Sequence, residues 1–327
     1  MLSAEDVLQR LGEIHALSIN KGARLADYTR FALGGPCLAL IDIQQPEALP
    51  QVFAILRQSA AQQIVIGGGS NLLVSDSGWP GWVLRYTCGQ IEKRNQGSWA
   101  ASGAVWQSVV DFHVAEGLAG MEKMTAIPGW LGGAIYGNAG AYGQTLMDFT
   151  ESVEVFDGQE FLTIPRADCG FVYRSSLFKS RKDWLVTGAN LYLPPGDQPA
   201  LAAAAQEIFE TRNQKFPPAM KCAGSIFKNQ IADRLPEETL ARVPAAMIKG
   251  GKIPSAWFLE QVGAKGLQQG GIEVAPYHAN LIYNTGSGTA EQVCVLIDEL
   301  KWRVQAEFGF VLEEEVQFVG FSDRESH

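Results

Sequence analysis

Positive charge is scarce in this sequence. Lysine and arginine number 26 against 35 aspartates and glutamates, a net charge of −9. Wrapping a polyanion takes the opposite balance, so no nucleic-acid partner is expected. Histidine occurs four times, and HExxH is absent. The five cysteines, at 37, 88, 169, 222 and 294, form no CxxC pair. Neither a zinc site nor a disulfide framework is signalled, and an odd set of thiols suits a reducing cytoplasm. No metal is expected. No signal-like apolar region follows Met1. The longest uncharged stretch, 124–147, holds six glycines among its 24 residues, so it lacks the continuous apolar face of a membrane span. Internal repeats are also lacking.

The common nucleotide cradles are missing too. GxGxxG fails because Leu72 stands where the third glycine belongs after Gly67 and Gly69. The P-loop pattern fails because Gly251-Lys252 is followed by isoleucine and Ala246 occupies the first glycine position. GxSxG does not occur.

Glycine is what the chain has in excess: 35 of 327 residues, roughly 11% against about 7% in average usage. Two clusters stand out. The first, GGGSNLL (67–73), follows the apolar run ending in Ile66. Its backbone N–H groups can form a concave anion nest, with Ser70 and Asn71 adding uncharged donors. The plain alternative is a strand-exit turn. The second runs from Ile127 to Gly143 and contains Gly129, Gly132, Gly133, Gly137, Gly140 and Gly143. Backbone without side chains can approach a flat ligand closely. Packing between layers would be a costly use of so much conformational entropy. Together the clusters point to a nucleotide cleft that is not of the Rossmann kind.

Periodicity predicts a helix over 4–18 on the stripe Val7, Leu8, Leu11 and Ile14, and another from Pro46 to about Gln58. Further helices are expected over 105–116 and 199–213, with strands at 151–156, 171–174 and 184–193. His15 and His113 are expected on helix surfaces. The window 211–232 carries Arg212, Lys215, Lys221 and Lys228 and no acid. Thr289 and Gln292 make a capping-box pattern for a helix ending at Gly309, and VLEEEVQFVGF reads as a closing strand.

Taken together, YTRFALGG (28–35), VIGGGSNLLV (65–74), IPGWLGGAIYGNAGAYG (127–143), CGFVYRSSLFK (169–179), AGSIFKN (223–229) and LEEEVQFVG (312–320) carry a resemblance. Nearly the whole chain resembles the UDP-N-acetylenolpyruvoylglucosamine reductase (MurB) family. Its FAD domain is of the vanillyl-alcohol-oxidase-like, PCMH type. Only 51 positions separate Arg174 from Ser225, which leaves no room for the extra loop of one family type and matches the shorter second type. The implied fold is α+β: a two-subdomain PCMH-type FAD-binding fold plus a C-terminal α+β substrate-binding domain. The implied division is an N-terminal helix (1–22), FAD-binding subdomains at 23–81 and 82–210, a substrate-binding domain at 211–310, and a C-terminal strand (311–327) returning to the FAD-binding part.

The resemblance implies NADPH as co-substrate and reduction of an enolpyruvyl ether to UDP-N-acetylmuramate. This is a step of bacterial peptidoglycan precursor synthesis, on which cell shape and division depend. Arg174 matches the carboxylate binder, Ser225 the proton donor to C2, and Glu315 the catalytic glutamate. Glu313 and Glu314 are expected on a solvated strand end. FAD binding is assigned to Ile66, Gly67, Gly68, Gly69, Ser70, Asn71, Leu72, Ile127, Pro128, Gly129, Gly132, Gly133, Asn138 and Ala139. Substrate contacts are assigned to Tyr142, Arg212, Lys215, Asn229, Lys252 and His278. A cytoplasmic monomer without a membrane partner is expected. Two alternatives stay open: an FAD-dependent sugar or alcohol oxidase of the same superfamily, and a non-catalytic nucleotide-sugar binder.

Overall fold

Residues 1–322 are described by the computed structural model. Helices and strands are interspersed in an α+β arrangement, and the chain forms two compact units built from discontinuous segments. The first comprises residues 1–23, 37–68 and 80–217, and the second 24–36, 69–79 and 218 onward.

In the first unit, one sheet has the order Leu17–Lys21, Cys37–Ile43, Trp79–Tyr86, Gln63–Val65. Helices Ala4–Leu11 and Leu49–Leu56 share a core with it through Val7, Leu11, Ile41, Val52, Phe53 and Trp82. The second sheet is antiparallel throughout, in the order Phe161–Pro165, Thr150–Phe156, Leu185–Tyr192, Gly97–Ala101, Ile91–Arg94. Alternation sorts its residues. Ala100, Val153, Val155, Ala189 and Leu191 pack with helix Trp106–Ala115, whereas Ala101, Phe156 and Leu185 join the core of the first sheet. Helix Gln198–Lys215 begins with proline at its first turn. No helix among the described residues is long and apolar enough to cross a membrane.

The helix predicted over 4–18 stops at Leu11. Ser3 and Asp6 form a capping box at its start, and Val7 and Leu11 are its buried residues. The chain then turns through Ala16 at φ +63°, and Leu17–Lys21 becomes a strand paired with Ala39–Ile43. Leu17 and Ile19 alternate with polar residues, a period of two that the shorter helical stripe concealed.

In the second unit an antiparallel sheet has the order Lys221–Ser225, Leu281–Asn284, Ile272–Val274, Gln268–Gln269. Helices Ser255–Gln261 and Ala290–Phe308 contribute Phe258, Leu259, Val293, Ile297 and Leu300 to its core, together with Phe31, Leu33 and Leu73. The closing strand is short: Gln317–Val319 runs parallel to Leu72–Val74. Residues 311–316 were expected to extend it but do not. Leu312 and Val316 are buried there, and Glu315 is held by a bond to Ile226 described below.

Helix Ala290–Phe308 has all four of its initial N–H groups satisfied, as a helix start requires. Thr289 N–H donates to Gln292 Oε1 and Gln292 N–H to Thr289 Oγ1, the capping box that the sequence showed. The other two come from a distant segment: Ala290 and Glu291 N–H donate to the two Asp76 carboxylate oxygens at 2.9 and 3.1 Å. A carboxylate there also meets the positive end of the helix dipole. Gly309 closes the helix at φ +73°.

His113 is fully buried, not on a helix surface as expected. Its Nδ1–H donates to the Val109 carbonyl at 2.7 Å, and Nε2 accepts from the Ser98 hydroxyl at 3.1 Å, linking helix to sheet. Its placement followed from the i+4 spacing to Val109, which the stripe shares.

Two outcomes are expected. Asp76→Ala should lower the stability of the second unit by about 1 kcal/mol, read as a reduced urea midpoint, with Asp76→Asn losing less. An unchanged midpoint for Asp76→Ala would show that the cap contributes nothing. Burial lowers the pKa of His113 below its ordinary value, against the opposing influence of the Val109 carbonyl. The unfolded chain therefore takes up this proton first, and stability should fall as pH drops below about 6.5. His113→Asn should show a shallower decline of the urea midpoint between about pH 7.5 and 5.5. Equal slopes would remove His113 from that account.

Candidate active site

In the first unit the two glycine clusters meet. Strand Gln63–Val65 leads into Ile66, whose N–H donates to Leu84 O at 2.9 Å, and the chain then reaches Gly67 and Gly68. A Cβ on Gly68 would stand 3.3 Å from Gly129 Cα and 3.0 Å from Trp130 Cδ1. One on Gly67 would meet nothing closer than Gly133 N at 3.8 Å. Gly68 is thus packed against the Trp130 indole and the Gly129 backbone, whereas Gly67 and Gly133 leave a gap of open backbone, which is where a ligand can be gripped by N–H groups. The Arg85 guanidinium lies 5.4 Å from the centre of the Trp130 ring and is held bidentately by Asp42 at 2.6 and 2.7 Å.

Not every glycine of the second cluster borders that gap. Gly132 packs against Ser102, and the N–H groups of Leu131 and Gly132 donate to Ala104 O and Ser102 O. Asn138 is buried at φ +42°, its Nδ2 donating to Val172 O and its Oδ1 accepting from Met147 N. Ala139 donates to Ala134 O and accepts from Leu146 N. Among the cofactor candidates, Asn138 and Ala139 therefore shape the loop through bonds within the protein. Ile127 and Pro128 lie in the segment leading to Gly129.

Arg174 does not end a strand. The strand expected over 171–174 is replaced by a tight turn in which Val172 and Ser175 exchange both backbone bonds. Arg174 sits at the turn with φ +55°, a left-handed conformation that costs a non-glycine residue about 1 kcal/mol. Three bonds hold this turn to the second glycine cluster. Asn138 Nδ2 reaches Val172 O, Ser176 Oγ reaches Tyr136 O, and Arg174 Nη1 reaches Gly140 O at 3.3 Å. The neighbouring hairpin, Gly140–Ala141 with Gln144–Thr145, exposes Tyr142 at its tip. Arg174 and Tyr142 are thus carried by adjoining loops.

Arg212 and Lys215 occupy the last turn of Gln198–Lys215, each with its charge near the Phe216 ring. Partial desolvation and then the Arg212 charge push the Lys215 ammonium below its ordinary pKa.

The second unit contains the remaining candidates. Gly69 stands at φ +64°, and a Cβ there would fall 1.9 Å from Tyr28 O, so its glycine is dictated by the turn itself. Ser70 follows it, and Leu72 begins the strand that pairs with Gln317–Val319. Asn71 donates through Nδ2 to Glu315 O at 3.0 Å, and its carbonyl accepts from Gln317 N at 3.0 Å.

Ser225 ends strand Lys221–Ser225 just after Gly224, which at φ +75° breaks the register with Leu281–Asn284. The next residue links it to the C-terminal segment: Glu315 N–H donates to Ile226 O at 2.7 Å. Phe227 bridges to Glu314, and Lys228 N–H donates to Glu313 O at 2.9 Å. Ser225 and Glu315, 90 positions apart in sequence, are therefore brought together by the backbone. Of the two neighbouring acids, Glu313 is exposed as expected and Glu314 is not. Glu313 pairs with Lys228, and Glu314 is partly buried against Lys301 at 2.8 Å.

Lys252 lies on a small ribbon, where Gln230–Ile231 pairs with Lys252–Ile253, and Asn229 immediately precedes it. Asn229 Oδ1 accepts from Ser255 N, and the Ser255 hydroxyl donates to Lys228 O. His278 is buried, and its Nδ1 accepts from Asn280 N at 3.3 Å, a structural role for one face of the ring.

One residue was missed. Asn280, nearly fully buried, accepts from Phe227 N at 2.9 Å and donates to Phe227 O at 2.8 Å with its amide, while its carbonyl accepts from Ile226 N at 3.1 Å. The only hint in the sequence is an asparagine inside an otherwise apolar stretch.

Comparison with known proteins gives the family. The family described as UDP-N-acetylenolpyruvoylglucosamine reductase, C-terminal domain, matches residues 216–319, and an FAD binding domain family matches 38–160. The UDP-N-acetylenolpyruvoylglucosamine reductase of Solibacter usitatus is 46% identical over 95% of this chain and 100% of its own length. That of Carboxydothermus hydrogenoformans is 35% identical over 90% of this chain and 92% of its own. The crystal structure of the Thermus caldophilus reductase (MurB) is similar with a TM-score of 0.72 at 29% identity, covering 93% of this chain and 99% of that one. With both glycine clusters, the AGSIFKN strand end and the LEEEV segment assembled as described, the chain belongs to the UDP-N-acetylenolpyruvoylglucosamine reductase (MurB) family.

Proposed function

We propose that this chain reduces the enolpyruvyl ether of UDP-N-acetylenolpyruvoylglucosamine to UDP-N-acetylmuramate, using FAD as cofactor and NADPH as co-substrate. The product enters peptidoglycan precursor synthesis. The observation that carries this reading is the 2.7 Å bond from Glu315 N to Ile226 O, which places a carboxylic acid beside the segment bearing Ser225. A cytoplasmic monomer is part of the same proposal, and the five free thiols suit such a compartment.

The glycine gap suits FAD. Gly67, Gly68, Gly129 and Gly133 offer backbone without side chains, and no cysteine or histidine stands in either cluster to form a covalent link. When bound there, FAD supplies the carrier through which hydride from NADPH reaches the substrate.

The rest of the chemistry falls to side chains. Saturating the vinyl ether requires hydride at C3 and a proton at C2. Charge developing at C2 spreads into the neighbouring carboxylate, giving an enediolate-like species. Arg174 grips that carboxylate, since a guanidinium keeps its charge and can bond two oxygens at once. Ser225 delivers its hydroxyl proton to C2, which is basic enough at that stage to take it. Glu315 is assigned to stabilise the developing charge through its carboxyl group. Arg212 and Lys215 are assigned to the diphosphate sugar, where local cations offset the acidity of the whole chain. Asn229, Lys252 and Tyr142 are assigned as polar contacts. His278 keeps a structural bond through Nδ1 whatever its Nε2 meets.

The test is a purified yellow protein that oxidises NADPH only when the enolpyruvyl sugar nucleotide is added. Rapid consumption of oxygen without that substrate would favour the oxidase alternative instead. Ser225→Ala should leave flavin reduction by NADPH intact while slowing reoxidation by substrate about 10²–10⁴-fold in stopped flow. Equal loss in both half-reactions would remove Ser225 from the proton transfer. Arg174→Lys should lower kcat/KM for the sugar nucleotide by about 10–100-fold, because one point charge replaces a two-pronged grip. Unchanged kcat/KM would free Arg174 from that role.

A further inference from the structure

The Ser225 segment leaves its sheet at a place where regular pairing stops. Gly224 breaks the register, so strand bonds to Leu281–Asn284 do not extend past Ser225. The next two residues, Ile226 and Phe227, still present four backbone polar groups to a buried interior. Three of them are met by one residue. Asn280 accepts from Ile226 N through its carbonyl, accepts from Phe227 N through Oδ1, and donates to Phe227 O through Nδ2. The fourth group, Ile226 O, accepts from Glu315 N. The side-chain amide of Asn280 thus imitates one peptide unit of a missing strand, its oxygen and nitrogen matched to the N–H and C=O of Phe227.

We infer that Asn280 is a positioning residue for the reduction: its amide fixes the Ile226–Phe227 backbone, and through it both the Ser225 hydroxyl and the anchorage of Glu315. This rests on the function proposed above. No other side-chain pair in the protein's inventory has one acceptor and one donor in this planar arrangement except glutamine, whose extra methylene does not fit a fully packed site. His278 supports the same residue from behind, since its Nδ1 accepts from Asn280 N. Asn280 itself is too deeply buried beneath this backbone to act as a proton donor, so its effect is on placement.

Asn280→Asp is the decisive variant. It preserves the acceptor for Phe227 N–H, but an ionised carboxylate cannot donate to Phe227 O and repels it. Protonation restores the donor. In stopped flow the variant should reduce its flavin with NADPH within about twofold of the unsubstituted protein, whereas reoxidation by the enolpyruvyl sugar nucleotide should slow by about 10–100-fold, a placement error being costly even from a distance. That second rate should recover by at least about fivefold as pH falls from 8 to 5.5, a gain the unsubstituted protein lacks, as expected of a carboxyl regaining its proton. The solvent isotope effect on reoxidation should rise, because a displaced Ser225 makes proton delivery slower. Asn280→Ala serves as a second variant, with the same split between half-reactions and no acid recovery, and its urea midpoint reports the purely structural cost. Equal slowing of both half-reactions, or a flat pH dependence for Asn280→Asp, would overturn the inference. A different failure would sink the parent reading: unsubstituted protein that does not reoxidise with the enolpyruvyl sugar nucleotide at all.

Discussion

The second unit depends on how segment 312–319 is bonded on both of its sides. On one side Ile226 O accepts from Glu315 N, and Lys228 N–H donates to Glu313 O. On the other, Asn71 takes Glu315 O and Gln317 N, and strand Gln317–Val319 lies parallel to Leu72–Val74. A single extended stretch therefore bonds the backbone of two segments, one on each side. Buried peptide groups left without partners would each cost about 1–3 kcal/mol, so this stretch is held in one register. The register is what aims Glu315, and the ion pairs of Glu313 and Glu314 fix the residues before it.

The first unit solves a different problem with a different residue. Its glycines let two loops approach until backbone faces backbone, and the loops are then stiffened from outside the gap. Ser102, Ala104, Asn138 and Ser176 use their polar groups for this. Glycine is the flexible residue of the pair, and its neighbours remove the flexibility. Arg174 benefits from the same bracing. Its left-handed backbone persists because Val172 and Ser175 close the turn around it and Gly140 O receives its guanidinium.

Much of this was legible in the sequence wherever a local rule spoke for itself. The capping box at Thr289 and the αL glycine at 309 are each a short-range signal with one physical meaning. Legibility ended where the deciding partner is far away. Residues 12–18 continued the apolar spacing of the first helix, yet pairing with Ala39–Ile43 made part of them a strand. Glu314 looked solvated until Lys301 was placed beside it. That the amide of Asn71 bonds Glu315 O, 244 positions away, was equally hidden. Asn280 showed only as an asparagine among apolar residues, because one that imitates a peptide unit is recognisable only once the peptide it serves is in view.

The discontinuity of the two units has a consequence for synthesis on the ribosome. Leu72 meets its strand partner Gln317 only 245 positions later, and Asp76 meets the start of helix Ala290–Phe308 after more than 200. Phe31, Leu33 and Leu73 likewise wait for a core supplied mostly by residues beyond 222. The second unit cannot close until nearly the whole chain has been made, and pairing over such separations is intrinsically slow. Its early segments must remain soluble and uncommitted in the meantime. The polar and glycine-rich character of 67–71 and 75–78 then serves the nascent chain as well as the finished one, by withholding an adhesive edge until its partner arrives.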